Sequence, residues 1–187
     1  MTAEIDYETI AARIHDFYCE QSAKEGWHND FSMPFNELPE FMKEDNRAAA
    51  RRIGHVLSLA GLQLAPRAGE DWTATDQQQI SEIIEQNIDL LAEGEHDGWT
   101  QSRLRHGWRL GLCRDIANRE SHLLIPYSEL GEQIKKKQQY ERRLGTIPKK
   151  TVAEEVESEK NKDRESVRSY VPIIARTECR IEYMGAR

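Results

Sequence analysis

The sequence predicts a mainly α-helical fold with short β-strands, built from two related units that pack about a pseudo-two-fold axis. Each unit is expected to hold two main helices and a short strand segment. Three observations predict it. First, one segment occurs twice: His15–Trp27 reads HDFYCEQSAKEGW and His96–Trp108 reads HDGWTQSRLRHGW. Both carry His-Asp, an aromatic at the fourth position (Tyr18, Trp99) and Gly-Trp at the same spacing. Second, two further blocks follow in the same order. Met33-Pro-Phe-Asn-Glu-Leu38 answers Ile125-Pro-Tyr-Ser-Glu-Leu130, and Asn46-Arg47 with its apolar run answers Asp163-Arg164 with its own. Those runs end in Leu62-Gln-Leu64 and Arg180-Ile-Glu182. Third, the apolar residues between the blocks recur at helical spacing. Ordered internal repetition of this kind decides architecture before local propensity does.

The elements follow in order. Residues 7–25 read as a helix with Ile10, Ile14, Phe17 and Tyr18 on one face, stopped by Gly26. A second helix is expected from Pro39, an acceptable first-turn proline, through Ile53, Val56, Leu57 and Ala60 to Gly61. Leu62-Gln-Leu64 alternates like a strand. Residues 1–66 are thus the first unit, 67–75 the linker and 76–187 the second unit. Thr75 with Gln78 resembles a capping box opening a long helix through Ile80, Ile84, Ile88 and Leu91. Gly94 and Gly98 near its far end each cost about 1 kcal/mol relative to Ala, unless they mark a bend or a close contact. Trp108–Asp115 is expected to be a structured loop. The second unit carries an insertion at about 132–157, with a basic run Lys135–Arg143 and an acidic stretch Glu154–Glu157, read as a solvated helix or mobile loop. A final helix at 162–176, kinked at Pro172, leads to the alternating Cys179–Met184.

Composition limits the function. The chain has 187 residues and a formal net charge of −7, which argues against a general nucleic-acid coat. No apolar run approaches the ~18 residues of a membrane span, and the acidic start lacks a hydrophobic signal region. Three cysteines, Cys19, Cys113 and Cys179, show no close pair, as expected of a reduced cytoplasmic protein. His15 with Cys19, and His96 with His106, fall short of the ligand number zinc needs. No phosphate loop, nucleophile elbow or nucleophile–base pairing stands out, so catalysis and cofactors are not expected.

The motifs His96-Asp-Gly-Trp99, Gly107-Trp108-Arg-Leu-Gly111, Arg114-Asp115, Leu123-Leu-Ile-Pro-Tyr127 and Lys162-Asp-Arg164 together resemble the ryanodine receptor repeat, or RyR domain. Leu110 stands where that pattern usually has Tyr, and Ser121-His122 where His-Pro is common. The first half resembles a degenerate copy, keeping His15, Tyr18, Gly26-Trp27, Pro34-Phe35 and Asn46-Arg47. The resemblance implies a helical, pseudo-symmetric, non-enzymatic module. It also implies that adenine nucleotides are recognised between the repeats, with the Gly-Trp indoles facing the base.

The expected ligand-binding residues are therefore Trp27, Trp108, Arg103, Arg114, Asp115, Trp99, Tyr18 and His96. Trp27 and Trp108 offer flat faces for a base. Arg103 and Arg114 offer bidentate donors for phosphate. Asp115 is expected to orient Arg114 or to accept a ribose hydroxyl. His15 and His96, inside helices, are expected to make structural hydrogen bonds first and to touch ligand second. The partners expected are a small nucleotide-like molecule and a protein partner or second copy, with no membrane and no nucleic acid. The competing reading is an interaction scaffold that docks a partner through its basic insert, Lys135–Lys150.

Overall fold

The computed structural model describes residues 4–26 and 29–185. In chain order the elements are α1 (Tyr7–Glu25), a 3-10 turn (Phe35–Glu37), α2 (Glu40–Ser58), β1 (Leu62–Pro66), α3 (Ala74–Gln86) and α4 (Ile88–Arg105). Then come β2 (Arg109–Leu110), β3 (Glu120–Ser121), a second 3-10 turn (Tyr127–Glu129), α5 (Leu130–Arg143), α6 (Val152–Arg168), α7 (Tyr170–Ile174) and β4 (Cys179–Tyr183). The fold is mainly helical, as the sequence predicts. None of the described helices is long and apolar enough to cross a membrane. The chain divides into two compact units, residues 1–91 with 168–187, and residues 92–167.

In the first unit, Asp6 starts α1 by accepting the backbone N–H groups of Glu8 and Thr9 at 3.0 and 3.1 Å. An Asp at this position satisfies donors the helix itself leaves open. Gly26, at φ 71°, closes α1 by donating its N–H to the Ser22 carbonyl. Ile10, Ala11 and Ile14 of α1 are buried, as are Ala50, Ile53, Val56 and Leu57 of α2. β1 pairs antiparallel with β4, with Leu64 opposite Ile181 and Leu62 opposite Tyr183. The two stretches that alternate in the sequence are therefore partners in one ribbon. Arg67 fastens its end, donating from Nε to the Cys179 carbonyl and from Nη2 to the Ala175 carbonyl, both at 2.8 Å.

Several expectations need correction. The long helix from Thr75 is two helices, broken at Asn87. The Asn87 side-chain amide donates to the Ile83 carbonyl at 2.8 Å, and its backbone sits at φ −117°, ψ 17°. Asn competes for backbone carbonyls in this way and ends helices where apolar periodicity alone runs on. The capping box is Thr73 with Asp76, not Thr75 with Gln78. Asp76 accepts from the Thr73 backbone at 2.8 Å while Thr73 Oγ1 accepts from the Asp76 N–H. A carboxylate is also the better partner for the positive helix end. α2 ends at Ser58, before Gly61, and Trp72, inside the expected linker, is buried with Arg67 over its ring. The last helix is split at Ser169, because Pro172 has no N–H to give the Arg168 carbonyl.

In the second unit the basic insert is a partly buried helix to Arg143, followed by an exposed turn over residues 144–151. α5 buries Leu130, Gln133, Ile134 and Gln138 along one face. Two of those four are glutamines, which hid the buried face from an apolar count. Gln138 donates to the Lys150 carbonyl (3.0 Å) and to Glu155 (2.8 Å), and Lys137 reaches Glu155 at 2.7 Å. These bonds tie α5 to the start of α6. A small cluster of Ala92, Ile125, Tyr127 and Leu130, with Leu123 against it, forms the apolar centre of this unit.

Candidate functional site

α4 sets His96, Trp99 and Arg103 on one face, at spacings of three and four residues. His96 is 3% exposed. Its Nε2 donates to the Ile125 carbonyl at 3.0 Å, and its Nδ1 donates to Asp163 Oδ2 at 3.2 Å. The ring lies between Trp99 (centroids 5.9 Å apart) and the edge of Tyr127 (5.6 Å). Both hydrogen-bond partners are acceptors, so the His96–Asp163 pair must keep the proton between Nδ1 and Oδ2. Burial pushes His96 down, yet the hydrogen bond and charge of Asp163 and the Ile125 carbonyl outweigh it, leaving its affinity for the proton above the ordinary histidine level. Burial likewise raises Asp163, with His96 opposing. His96 thus anchors the α4 face to the Pro126 turn and to α6.

The same local device stands in the first half. His15 Nε2 donates to the Met33 carbonyl at 2.7 Å, matching His96 to Ile125. Each histidine lies against the aromatic that follows the proline: Phe35 at 6.3 Å, Tyr127 at 5.6 Å. Each proline caps a 3-10 turn. Arg47 binds Glu40 and Glu44 (2.5 and 2.7 Å), and Arg164 binds Glu157 and Asn161 (2.5 and 2.6 Å), at the same seven- and three-residue spacings. One difference matters: Asn46 stands where the second half has Asp163, and its amide donates to the Met42 carbonyl instead.

The end of α4 builds the aromatic part of the site. Gly107 at φ 78° turns the chain, its N–H bonding the Leu104 carbonyl while the Trp108 N–H donates to the Arg103 carbonyl at 3.0 Å. This is the six-to-one closure of a Schellman motif, in which the residue after the glycine touches the side chain five positions back. Here that contact is a cation on an indole. The Arg103 guanidinium lies 4.9 Å from the Trp108 ring centroid and 5.9 Å from that of Trp99. All three side chains are half-buried. Stacking of this kind fixes a guanidinium while leaving its N–H edge directional.

Beyond Trp108, β2 pairs with β3 in parallel, Arg109 opposite Glu120 and Leu110 opposite Ser121. Arg109 Nε binds Glu120 at 2.9 Å. Gly111 is required here, because a Cβ at this position would stand 2.9 Å from the Glu120 Cβ. Its carbonyl accepts from Gln133 of α5 at 3.1 Å, and its N–H donates to the Ser121 carbonyl. The Gly-Trp-x-x-Gly spacing is thus a turn, a stacking ring and a close strand approach in succession.

The structure sorts the expected site residues. His96, Trp99, Arg103 and Trp108 form one continuous set of contacts. Arg114 is exposed on the loop. Asp115 does not orient it: Oδ1 accepts from the Asn118 N–H (3.1 Å) and Oδ2 from the Asn118 side chain (2.8 Å). Those bonds hold the Asp115 carboxyl below its ordinary range. Tyr18, at the place of Trp99 in the first half, is 61% exposed. Trp27 lies outside the described residues. Two neighbours escaped the sequence reading. Lys160 sits 4.6 Å over the Tyr127 ring, and Asp163 supplies the second bond to His96. The paired blocks contained Asp163, but only its Asn46 counterpart hinted that its charge was particular to the second half.

Comparison with protein-family models matches residues 73–149 to the RyR domain. The matched stretch contains α4, the Gly107–Gly111 turn, the Pro126 turn and α5, while Asp163 of α6 lies beyond it. Residues 73–149 are therefore similar to the RyR domain.

Proposed function

We propose that this chain is a non-enzymatic ligand-binding module, and that its second half recognises an adenine nucleotide or a nucleotide-derived signal on the face made by Trp99, Arg103 and Trp108. The observation that carries the reading is the Arg103 guanidinium lying over both indoles, at 5.9 and 4.9 Å. A flat base needs a π face, worth about 1–3 kcal/mol per base in stacking. A phosphate needs a planar donor pair held in place, and two indoles hold this one. Exposed Arg114, on the loop that follows, adds cationic charge for the rest of the anion. The His96–Asp163–Ile125 bonds brace α4 behind this face, which favours a preformed site. The RyR-domain match supports a recognition role over the same residues.

The test is calorimetry with ATP, ADP, AMP and ADP-ribose on the full chain, with circular dichroism as the fold control. Binding is expected for at least one of them. Trp108→Ala should weaken it by roughly tenfold or more, the equivalent of one lost stacking contact. Arg103→Ala should weaken the nucleotide more than the matching nucleoside. Trp27→Ala belongs to the same series. No heat across the panel from a folded chain overturns the proposal, and so does conversion of the ligand to product.

A further inference from the structure

We infer that the tip of the hairpin between α5 and α6 is a docking surface for an acidic, apolar-bearing segment of a partner protein. The hairpin is an addition to the unit it sits in. In the first half the 3-10 turn Phe35–Glu37 leads almost directly into α2 at Glu40. In the second half the turn Tyr127–Glu129 leads into α5, and α6 starts only at Val152. The inner face of α5 explains part of the addition, since Leu130, Ile134 and Gln138 pack inside. It does not explain the far end.

At that end, apolar side chains stand in water. Ile147 is 87% exposed, Leu144 65% and Tyr140 38%. Single exposed apolar residues are ordinary, but three within one helix end and the turn after it mark a contact surface. Gly145, at φ 84°, makes the turn that carries Leu144 and Ile147 on either side. The cations tell the same story. Arg142, Arg143, Lys149 and Lys150 are exposed, and residues 142–150 contain no Asp or Glu. Lys150 reaches Ser158 Oγ at 2.8 Å and its charge helps lower the pKa of Glu154, but among the described residues none of the four forms an ion pair. Lys137, on the inner side, shows the contrast, bonded to Glu155 at 2.7 Å and Glu141 at 3.1 Å.

Charge and shape choose the occupant. Nucleic acid would answer the cations but leave Leu144 and Ile147 in water, because an aliphatic side chain gives a base nothing to stack on. A second copy meeting the tip through its own tip would set four cations against four. A protein segment that interleaves Asp or Glu with apolar residues answers both properties at once. In a chain of net charge −7, this local excess of cations is where such a segment would be drawn.

The experiment places a photo-cross-linking residue at position 147 of the full chain, in cells that produce it, with Ser58 as an exposed control position. A synthetic peptide copying the cross-linked segment is then titrated into the purified full chain at low and high salt. The expected segment is acidic and apolar and binds more weakly in high salt. Its affinity falls at least about tenfold in Leu144→Ser/Ile147→Ser, matching the loss of a buried aliphatic side chain. It falls similarly in Arg142→Glu/Arg143→Glu, and adenine-nucleotide binding and thermal stability stay as in the parent. The inference is overturned by adducts no stronger than at position 58, by adducts to nucleic acid, or by unchanged peptide affinity in either variant. Sedimentation with phosphatidylglycerol/phosphatidylcholine vesicles that is lost in the same variants, without peptide binding, overturns it in favour of a lipid surface.

Discussion

Replacing Asp163 separates the charge of the buried His96 pair from its shape. Asp163→Ala leaves His96 Nδ1 without its acceptor inside a site where the ring is 3% exposed. Breaking one side of a buried pair costs about 3–5 kcal/mol, the lower end applying because the Asp163 side chain is 20% exposed. Asp163→Asn is gentler. The amide donates to Nδ1 while Nε2–H keeps the Ile125 carbonyl, so the cost is that of a charge-assisted bond exchanged for a neutral one, about 1 kcal/mol. The two variants also differ in pH dependence. The folded state holds the His96 proton more tightly than the unfolded chain does. The pair's contribution is therefore complete below the unfolded histidine value of about 6.5 and is lost as pH rises through the raised folded value. Urea unfolding followed by circular dichroism across pH reads this directly. The parent should lose stability on the alkaline side, and Asp163→Asn should lose that dependence. An unchanged alkaline limb in Asp163→Asn, or a cost below about 1 kcal/mol in Asp163→Ala, would refute the reasoning.

Other expected outcomes follow from single contacts. His122 is 8% exposed, and neither ring nitrogen has a hydrogen-bond partner among the described residues. Burial, then Lys137, pushes its proton affinity down, so it withdraws stability as pH falls below about 6.5. His122→Phe should flatten that acid limb in the same urea series. Gly111→Ala drives a Cβ to 2.9 Å from the Glu120 Cβ and should cost about 1–3 kcal/mol, with lost exchange protection at the Gly111 and Arg109 amides. Thr73→Ala removes the cap of α3 and should cost about 1 kcal/mol in thermal unfolding.

The paired sequence blocks made several local contacts legible, because each has a defined job that residue types announce. His15 and His96 reach a carbonyl ahead of a proline, and Pro34 and Pro126 start 3-10 turns. The alternating ends became paired strands, since Leu64 and Ile181 need one another's cover. Elements defined by polar atoms were harder to read. Asn87 breaks a helix that apolar periodicity carries through. Gln133 and Gln138 bury a face of α5 that composition assigns to solvent. At the site, the spacing of Trp99 and Arg103 was visible, but not that the Gly107 turn lays Trp108 on that same arginine. The fate of Asp115 was hidden for a similar reason: Asn118, three residues on, claims its carboxylate.

The proposed recognition role rests on the two indoles that flank Arg103, and 5-fluorotryptophan labelling of the full chain observes them individually. The chain has four tryptophans, assigned by one Trp→Phe variant each. Titration with an adenine nucleotide should move the Trp99 and Trp108 fluorine resonances together, with buried Trp72 unmoved. Resonances of Trp99 and Trp108 that stay fixed at saturating nucleotide, or movement at Trp72 alone, would contradict the assignment of this face as the binding site.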